Sequence, residues 1–224
     1  GPITFILNKN KNSKIHSLVS AKLETIAIRF PEHKLARSIL KKINYPLAMP
    51  SANISSKVSP ICAQDVHEEF GRKVKIIING GKSKIGIEST VIDLTGKPKI
   101  LRPGFISSTQ ISKFLNIAIK NSSRIKAIKS PGMLKRHYSP GIPIKLNQKR
   151  AGMNEAFIIF GKKYKSKKNT FNLSSKSSLA EAAKNLYKTL RLIKNKNYKM
   201  ICVSSIPQTG IGLAINDRLN RAAN

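Results

Sequence analysis

Apolar and polar positions follow two different periods along the first half of the chain. Short apolar stretches bounded by turn-forming residues predict strands, because successive side chains of a strand face opposite sides. The predicted strands are residues 3–7, 17–19, 25–28, 74–78, 87–94 and 99–102. Apolar residues at helical spacing predict helices at 33–43, 110–119 and 59–71, the last with Ser59 as N-cap and Pro60 as its first residue. We therefore predict a mixed α/β domain at residues 1–122.

The pattern changes after residue 122. Residues 130–143 are rich in Pro and Gly and predict an extended linker, which we place at 123–143. Beyond it, predicted strands at 156–160 and 200–204 alternate with predicted helices at 179–193 and 213–223. Because such alternation favours a parallel sheet, we predict a small Rossmann-like α/β domain at 144–224.

Composition excludes several classes of protein. Apolar residues make up 40% of the 224-residue chain, which is enough for a buried core. The sequence contains no apolar run near the ~20 residues that span a bilayer, and its first residues do not resemble a signal peptide. Cys62 and Cys202 lie far apart and outside any metal-binding spacing, so we expect reduced thiols. A cytoplasmic protein without a membrane partner follows as an expectation.

The chain is strongly basic, with 42 Lys and Arg against 10 Asp and Glu and a net charge of +32. One interpretation is a surface that attracts polyanions such as tRNA or double-stranded RNA. The other is AT-rich codon usage, which favours Lys, Asn and Ile alike. Because the basic residues are spread along the whole chain, the charge leaves both interpretations open.

The loop at residues 49–55, Met49-Pro50-Ser51-Ala52-Asn53-Ile54-Ser55, is the first candidate for chemistry. It leads into the predicted helix at Ser59, and a helix N-terminus offers unpaired N–H groups to an anion. Hydroxyls of Ser51 and Ser59 and the amide of Asn53 would complete a phosphate site. An ordinary turn followed by a helix cap explains the same residues. The sequence has no Walker motif.

Three further motifs place polar groups on predicted strands. They are Thr25-Ile26-Ala27-Ile28-Arg29-Phe30-Pro31, Gly86-Ile87-Glu88-Ser89-Thr90-Val91 and Leu101-Arg102-Pro103-Gly104. An arginine at a strand end can form two hydrogen bonds with phosphate or carboxylate. Each motif taken alone also fits a surface arginine or a pair of hydroxyls on neighbouring strands.

The order and spacing of these motifs resemble the YrdC-like family of L-threonylcarbamoyladenylate synthases, in its long two-domain form. The resemblance continues in Ser130-Pro131-Gly132-Met133, Arg136-His137-Tyr138-Ser139-Pro140, Asn172-Leu173-Ser174, Glu181-Ala182-Ala183, Leu190-Arg191 and Gly212-Leu213-Ala214-Ile215-Asn216-Asp217-Arg218-Leu219. It implies that residues 1–122 are the C-terminal portion of a truncated, twisted mixed-sheet catalytic domain. Residues 123–143 would then be a linker that also acts as a lid.

The resemblance implies synthesis of threonylcarbamoyl-AMP from L-threonine, bicarbonate and ATP with Mg²⁺, releasing pyrophosphate. A downstream complex would transfer the threonylcarbamoyl group to the tRNA adenosine beside the anticodon. Matched position by position, Arg29 and Ser89 would bind threonine. The implied ATP contacts are Thr25, Met49, Ser51, Asn53, Ser59, Arg102 and Tyr138. No catalytic nucleophile and no protein metal ligand are expected.

The sequence departs from the family pattern at two places. The family carries a Lys-x-Arg phosphate-binding element upstream, and nothing ahead of Thr25 matches it. We therefore expect that an N-terminal segment is missing here, through a late start, a split gene or a decayed gene. Ser56 stands where the family usually has Gly. Alternatives to the enzyme are a non-catalytic basic RNA-binding module and an inactive gene fragment.

Overall fold

The computed structural model describes residues 1–121 and 137–224. The linker motifs at 130–133 and Arg136 lie outside the described residues. The chain divides into two compact units. Unit 1 contains residues 1–50 and 88–121, and unit 2 contains residues 51–87 and 137–224. Residues 51–87 thus group with the C-terminal part of the chain. The domain boundaries predicted from the sequence divide the chain differently, and they stay a prediction.

Unit 1 is built on a mixed five-stranded sheet. Its strands are β1 (Ile3–Asn8), β2 (Thr25–Ile28), β3 (Thr90–Asp93), β4 (Lys99–Arg102) and β5 (Lys120–Asn121), in the order β2-β1-β3-β4-β5. β1 runs antiparallel to β2 and parallel to β3, which is antiparallel to β4. The starts of β1 and β3 therefore lie at the same end of the sheet as the last residues of β2 and β4.

Two helices belong to unit 1. Helix α1 (Lys34–Lys41) contributes no buried residue among those described. Helix α3 (Ser108–Leu115) begins with a capping box of Ser107 and Gln110, which satisfies two backbone N–H groups at the helix start. Its Ile111 packs in a buried apolar cluster with Ile92 and Ile100 of the sheet. This cluster packs α3 against β3 and β4, the two strands that carry part of the candidate site.

Unit 2 contains a four-stranded, entirely parallel sheet, as the alternation of strands and helices predicts. Its strands are β6 (Ile144–Lys145), β7 (Glu155–Ile159), β8 (Thr170–Asn172) and β9 (Met200–Val203), in the order β6-β9-β7-β8. Its helices are α2 (Ala63–Phe70), α4 (Leu179–Lys194) and α5 (Gly212–Ala223). Leu186, Leu190 and Ile193 of α4 are buried beneath the sheet residues Ile158 and Ile201 in one core cluster.

Three predicted elements are wrong. Residues 74–78 do not form a strand, and Ile76 and Ile78 are exposed. Residues 17–19 fall in the short 3₁₀ helix Ser17–Ser20 instead of a strand. Ser59 does not cap a helix, because α2 begins four residues later with Cys62 as its extended N-cap. No helix among the described residues is long and apolar enough to cross a membrane.

Candidate functional site

Polar residues within or next to four neighbouring strands lie close together at one end of the strands of the unit 1 sheet. The Thr4 and Ser89 hydroxyls are 2.7 Å apart, and Arg102 Nη2 donates to Ser89 Oγ over 3.2 Å. Arg29 directly follows β2, and continuing the register that pairs Phe5 with Ile28 places Thr4 opposite Arg29. The structure therefore places Arg29, Thr4, Ser89 and Arg102 in a row across the strands, here called the polar row.

Arg102 and Ser89 are the buried centre of the polar row, at 8% and 5% exposure. Besides the Ser89 hydroxyl, Arg102 contacts the Ser89 carbonyl oxygen, to which Nε donates over 3.2 Å and Nη2 over 3.0 Å. A guanidinium with several donors in fixed directions defines the position of its acceptor. Arg102 therefore fixes both the backbone and the side chain of Ser89.

Gly104 explains why the Leu-Arg-Pro-Gly motif ends in glycine. It is buried, and a Cβ atom there would lie 2.6 Å from the Ser89 carbonyl carbon and 2.7 Å from Thr90 Cα. Thr90 is itself fully buried, and its hydroxyl donates to the Ile106 carbonyl over 2.7 Å. The absence of a side chain at Gly104 thus allows the turn after β4 to pack directly on the Ser89–Thr90 backbone.

Arg29 is the exposed member of the polar row. Its Nε donates to the Gly1 carbonyl over 3.1 Å. Desolvation by surrounding atoms lowers the pKa of the Arg29 guanidinium, but an arginine remains a cation at neutral pH. The arrangement provides a cation and two hydroxyls at one end of the sheet. These groups are suitable partners for the carboxylate and hydroxyl of a small amino acid.

Thr25, another predicted residue of unit 1, lies apart from the polar row. Thr25 begins β2 opposite Asn8, four residues and about 13 Å from Arg29 at the usual rise of a strand. Met49 is 75% exposed. The sequence analysis missed Thr4, although a threonine within the apolar stretch Ile3–Asn8 was the available signal.

The candidate nucleotide loop, residues 51–59, lies in unit 2. Ser51 is exposed, whereas Asn53 and Ser59 are buried. Asn53 Nδ2 closes the loop by donating to the carbonyls of Ile54 over 2.8 Å and Lys57 over 3.3 Å. Asn53 Oδ1 is buried and has no hydrogen-bond partner among the described residues. The loop therefore presents a buried acceptor that a ligand donor could satisfy.

The N-terminus of α2 differs from the predicted helix start at Ser59, because α2 begins at Ala63 and carries an acidic residue in its first turn. Asp65, in the first turn, accepts the Ile61 N–H through Oδ2 at 2.7 Å. A carboxylate at this position already compensates the positive helix end and repels phosphate. The candidate loop therefore depends on its own hydroxyl and amide groups.

Tyr138 is buried in unit 2 at 1% exposure. Its ring stacks on Tyr187 with centroids 5.6 Å apart, and the Arg218 guanidinium lies 5.6 Å from its centroid. The backbone of Tyr138 is left-handed, with φ of 64°, a conformation that costs roughly 1 kcal/mol for a residue with a side chain. This packing places the ring in the core of unit 2, and its expected nucleotide contact stays a prediction.

No group of three or more His, Cys, Asp or Glu side chains suited to a metal ion occurs in the part of the chain that the structure describes.

Comparisons with known proteins show which family the chain belongs to. The family model described as "Telomere recombination" (Sua5, YciO and YrdC) matches residues 1–104, and the "Threonylcarbamoyl-AMP synthase, C-terminal domain" model matches 106–224. Proteins named threonylcarbamoyl-AMP synthase from Pyrococcus abyssi and Bacillus subtilis are 34% and 32% identical over the whole of this chain. The chain spans 70% of the length of each.

A solved structure gives the same result. The crystal structure of P. abyssi Sua5 complexed with L-threonine matches the whole chain and 70% of its own length, with a TM-score of 0.87 and 31% identity. The resemblance inferred from the motifs and the α/β architecture are both confirmed. The chain therefore belongs to the YrdC-like family of threonylcarbamoyl-AMP synthases, nucleotidyltransferase-type enzymes of tRNA modification.

Proposed function

We propose that this protein catalyses formation of threonylcarbamoyl-AMP from L-threonine, bicarbonate and ATP. The observation that carries the proposal is the polar row, in which the exposed cation of Arg29 lies opposite Thr4, whose hydroxyl is 2.7 Å from that of Ser89. The related P. abyssi protein was crystallised with L-threonine. Threonine is a substrate whose carboxylate and hydroxyl match these groups.

The reaction needs two bond-forming steps. The threonine amine attacks the carbon of bicarbonate and forms a carbamate, with loss of the elements of water. A carbamate oxygen then attacks the α-phosphorus of ATP, and the bond to the β-phosphate bridging oxygen breaks to release pyrophosphate. No covalent enzyme intermediate is required, so the protein contributes by positioning the reactants and stabilising charge.

The residues have distinct roles in this proposal. Arg29 pairs with the threonine carboxylate, and Ser89 with its polar groups. Arg102 was expected to contact ATP, but its hydrogen bonds to the Ser89 carbonyl and hydroxyl support a role in positioning Ser89 as well. In unit 2, the buried Asn53 Oδ1 would accept a hydrogen bond from the nucleotide. Mg²⁺ would accompany the ATP phosphates and reduce their negative charge.

The proposal is tested on the complete gene product that contains these residues. We expect pyrophosphate release that requires threonine, bicarbonate and ATP together. Arg29→Ala should raise the KM for threonine about 10- to 100-fold, as expected for loss of a hydrogen bond between charged groups. Arg37→Ala is the matched control, because Arg37 is an exposed arginine on α1 of the same unit. Equal KM values for the two variants would contradict the role of Arg29.

A further inference from the structure

Arg191 of α4 forms hydrogen bonds and ion pairs with residues of the segment 51–87. Its side chain is only 13% exposed. Nη1 donates to the Val58 carbonyl and to Glu69 Oε2, both at 3.1 Å. Nη2 donates to the Asp65 carbonyl at 3.1 Å, and Nε lies 3.2 Å from Asp65 Oδ1. One side chain on α4 therefore contacts the end of loop 51–59 and helix α2 at once.

Each carboxylate in this network has a second contact. Glu69 uses Oε2 for Arg191, while its Oε1 accepts the Ile54 N–H at 2.9 Å. Asp65 uses Oδ1 for Arg191, while its Oδ2 accepts the Ile61 N–H at 2.7 Å. The guanidinium thus orients both carboxylates, and each carboxylate in turn fixes one backbone amide.

These contacts surround the candidate nucleotide residues. Ile54 directly follows Asn53, and Val58 directly precedes Ser59. The backbone is therefore fixed at Ile54 by Glu69 and at Val58 by Arg191 itself. Asn53 then closes the loop between these two points through its bond to the Lys57 carbonyl. The geometry of the loop is therefore set by the Asn53 side chain within it and by Glu69 and Arg191 outside it.

We propose that Arg191 is a positioning residue that holds loop 51–59 in its nucleotide-binding conformation through Asp65 and Glu69. The nucleotide part of this inference rests on the proposed function. Charge supports the assignment, because the Asp65 and Glu69 side chains are only 15% and 5% exposed and carboxylates withdrawn from water require a cationic partner. Geometry supports it as well, since the planar guanidinium reaches four acceptors and an ammonium group could not match their directions. Leu190-Arg191 is thus a motif of the C-terminal unit that acts on the candidate ATP loop.

The first test measures backbone amide exchange in the whole chain, which requires no ligand. Arg191→Ala should speed exchange at the Ile54 and Ile61 amides about tenfold, equal to the net contribution of one hydrogen bond. Exchange at Ile158, in the core of β7, should not change. Lys188→Ala is the control, because it removes an exposed charge from the same helix. Unchanged exchange at Ile54 and Ile61 in Arg191→Ala would overturn the positioning role.

Milder variants keep the test decisive where Arg191→Ala does not fold. Arg191→Lys keeps the charge but not the fork of donors, and Glu69→Gln keeps the side-chain shape without its charge. Both should raise exchange at Ile54, by less than the alanine variant. If neither variant changes that exchange, the network does not position the loop.

The second test measures binding of a non-hydrolysable ATP analogue and of threonine to the complete gene product by calorimetry. Arg191→Ala should weaken analogue binding about tenfold and leave threonine binding within twofold. Faster amide exchange with unchanged analogue affinity would overturn the link to nucleotide. If the unsubstituted protein binds no analogue, the proposed function fails, while the exchange experiment still decides whether Arg191 positions the loop.

Discussion

Replacing Gly104 with alanine tests the packing that positions Ser89. A Cβ atom at residue 104 would lie 2.6 Å from the Ser89 carbonyl carbon and 2.7 Å from Thr90 Cα, and closer still to the Thr90 nitrogen. All three neighbours are backbone atoms, so no flexible side chain can move aside. The start of β3 must therefore move away from the turn.

The cost follows from the contacts that this movement strains. Thr90 N donates to the Pro2 carbonyl at 3.0 Å, and the Thr90 hydroxyl donates to the Ile106 carbonyl. Overpacking in a close-packed region costs about 1–3 kcal/mol, and two weakened hydrogen bonds add about 1–2 kcal/mol. We expect a loss of about 3 kcal/mol, which lowers the melting temperature of a chain of this size by about 10 °C.

Calorimetric melting and threonine titration measure the two consequences. Gly96→Ala is the matched control, because Gly96 lies in the exposed β3–β4 turn and an added Cβ there meets no atom within 4 Å. The control should melt within about 2 °C of the unsubstituted protein. If Gly104→Ala melts together with Gly96→Ala and binds threonine equally well, the argument from close packing is refuted.

Further substitutions and one chemical probe test other parts of the structure. Ser56→Gly should stabilise unit 2 by about 1 kcal/mol and raise its melting temperature by about 2–4 °C, because Ser56 has a φ of 67°; a lower melting temperature would contradict this. Gly86→Ala should destabilise unit 2, because its Cβ would lie 2.6 Å from the Ala183 carbonyl oxygen and φ is 85°; an unchanged melting curve would argue against that contact. Burial and a hydrogen bond to Glu155 raise the pKa of the Cys202 thiol from 9.0 to about 11. At pH 8 iodoacetamide should therefore modify Cys62 before Cys202, and the contribution of the protonated Cys202 to stability should be lost as pH rises from about 9 to about 11; equal labelling rates would contradict the shift.

The elements predicted most accurately are those whose apolar residues recur with a clear period. Helix α4 was predicted within one residue of its observed end, since Leu186, Leu190 and Ile193 are buried at helical spacing. The parallel sheet of unit 2 also followed from the alternation of its elements. Such local patterns carry the information that secondary structure requires.

The wrong predictions depended on contacts that residue composition does not reveal. Residues 74–78 have the composition of a buried strand, but they pair with no strand among the described residues and leave Ile76 79% exposed. Ser59-Pro60 has the composition of a helix start. There, the Asp65 carboxylate accepts the Ile61 N–H, and Cys62 is extended at φ −152° and ψ 169°, so α2 begins at Ala63.

The candidate site was predictable in its residue types but not in its connections. The motif order pointed to Arg29, Ser89 and Arg102, and the structure adds Thr4, which joins their strands across the sheet edge. No spacing rule could connect Arg191 with Val58, because 133 positions separate them. Only the folded backbone shows that α4 reaches the loop.

Direct detection of the product is the most decisive measurement. The complete gene product would be incubated with threonine, ATP, Mg²⁺ and ¹³C-bicarbonate, and the nucleotides analysed by mass spectrometry. The account predicts threonylcarbamoyl-AMP that carries one ¹³C atom, and none when threonine is omitted. An AMP derivative without the label, or no threonine-dependent product from a folded protein that binds both substrates, would contradict it.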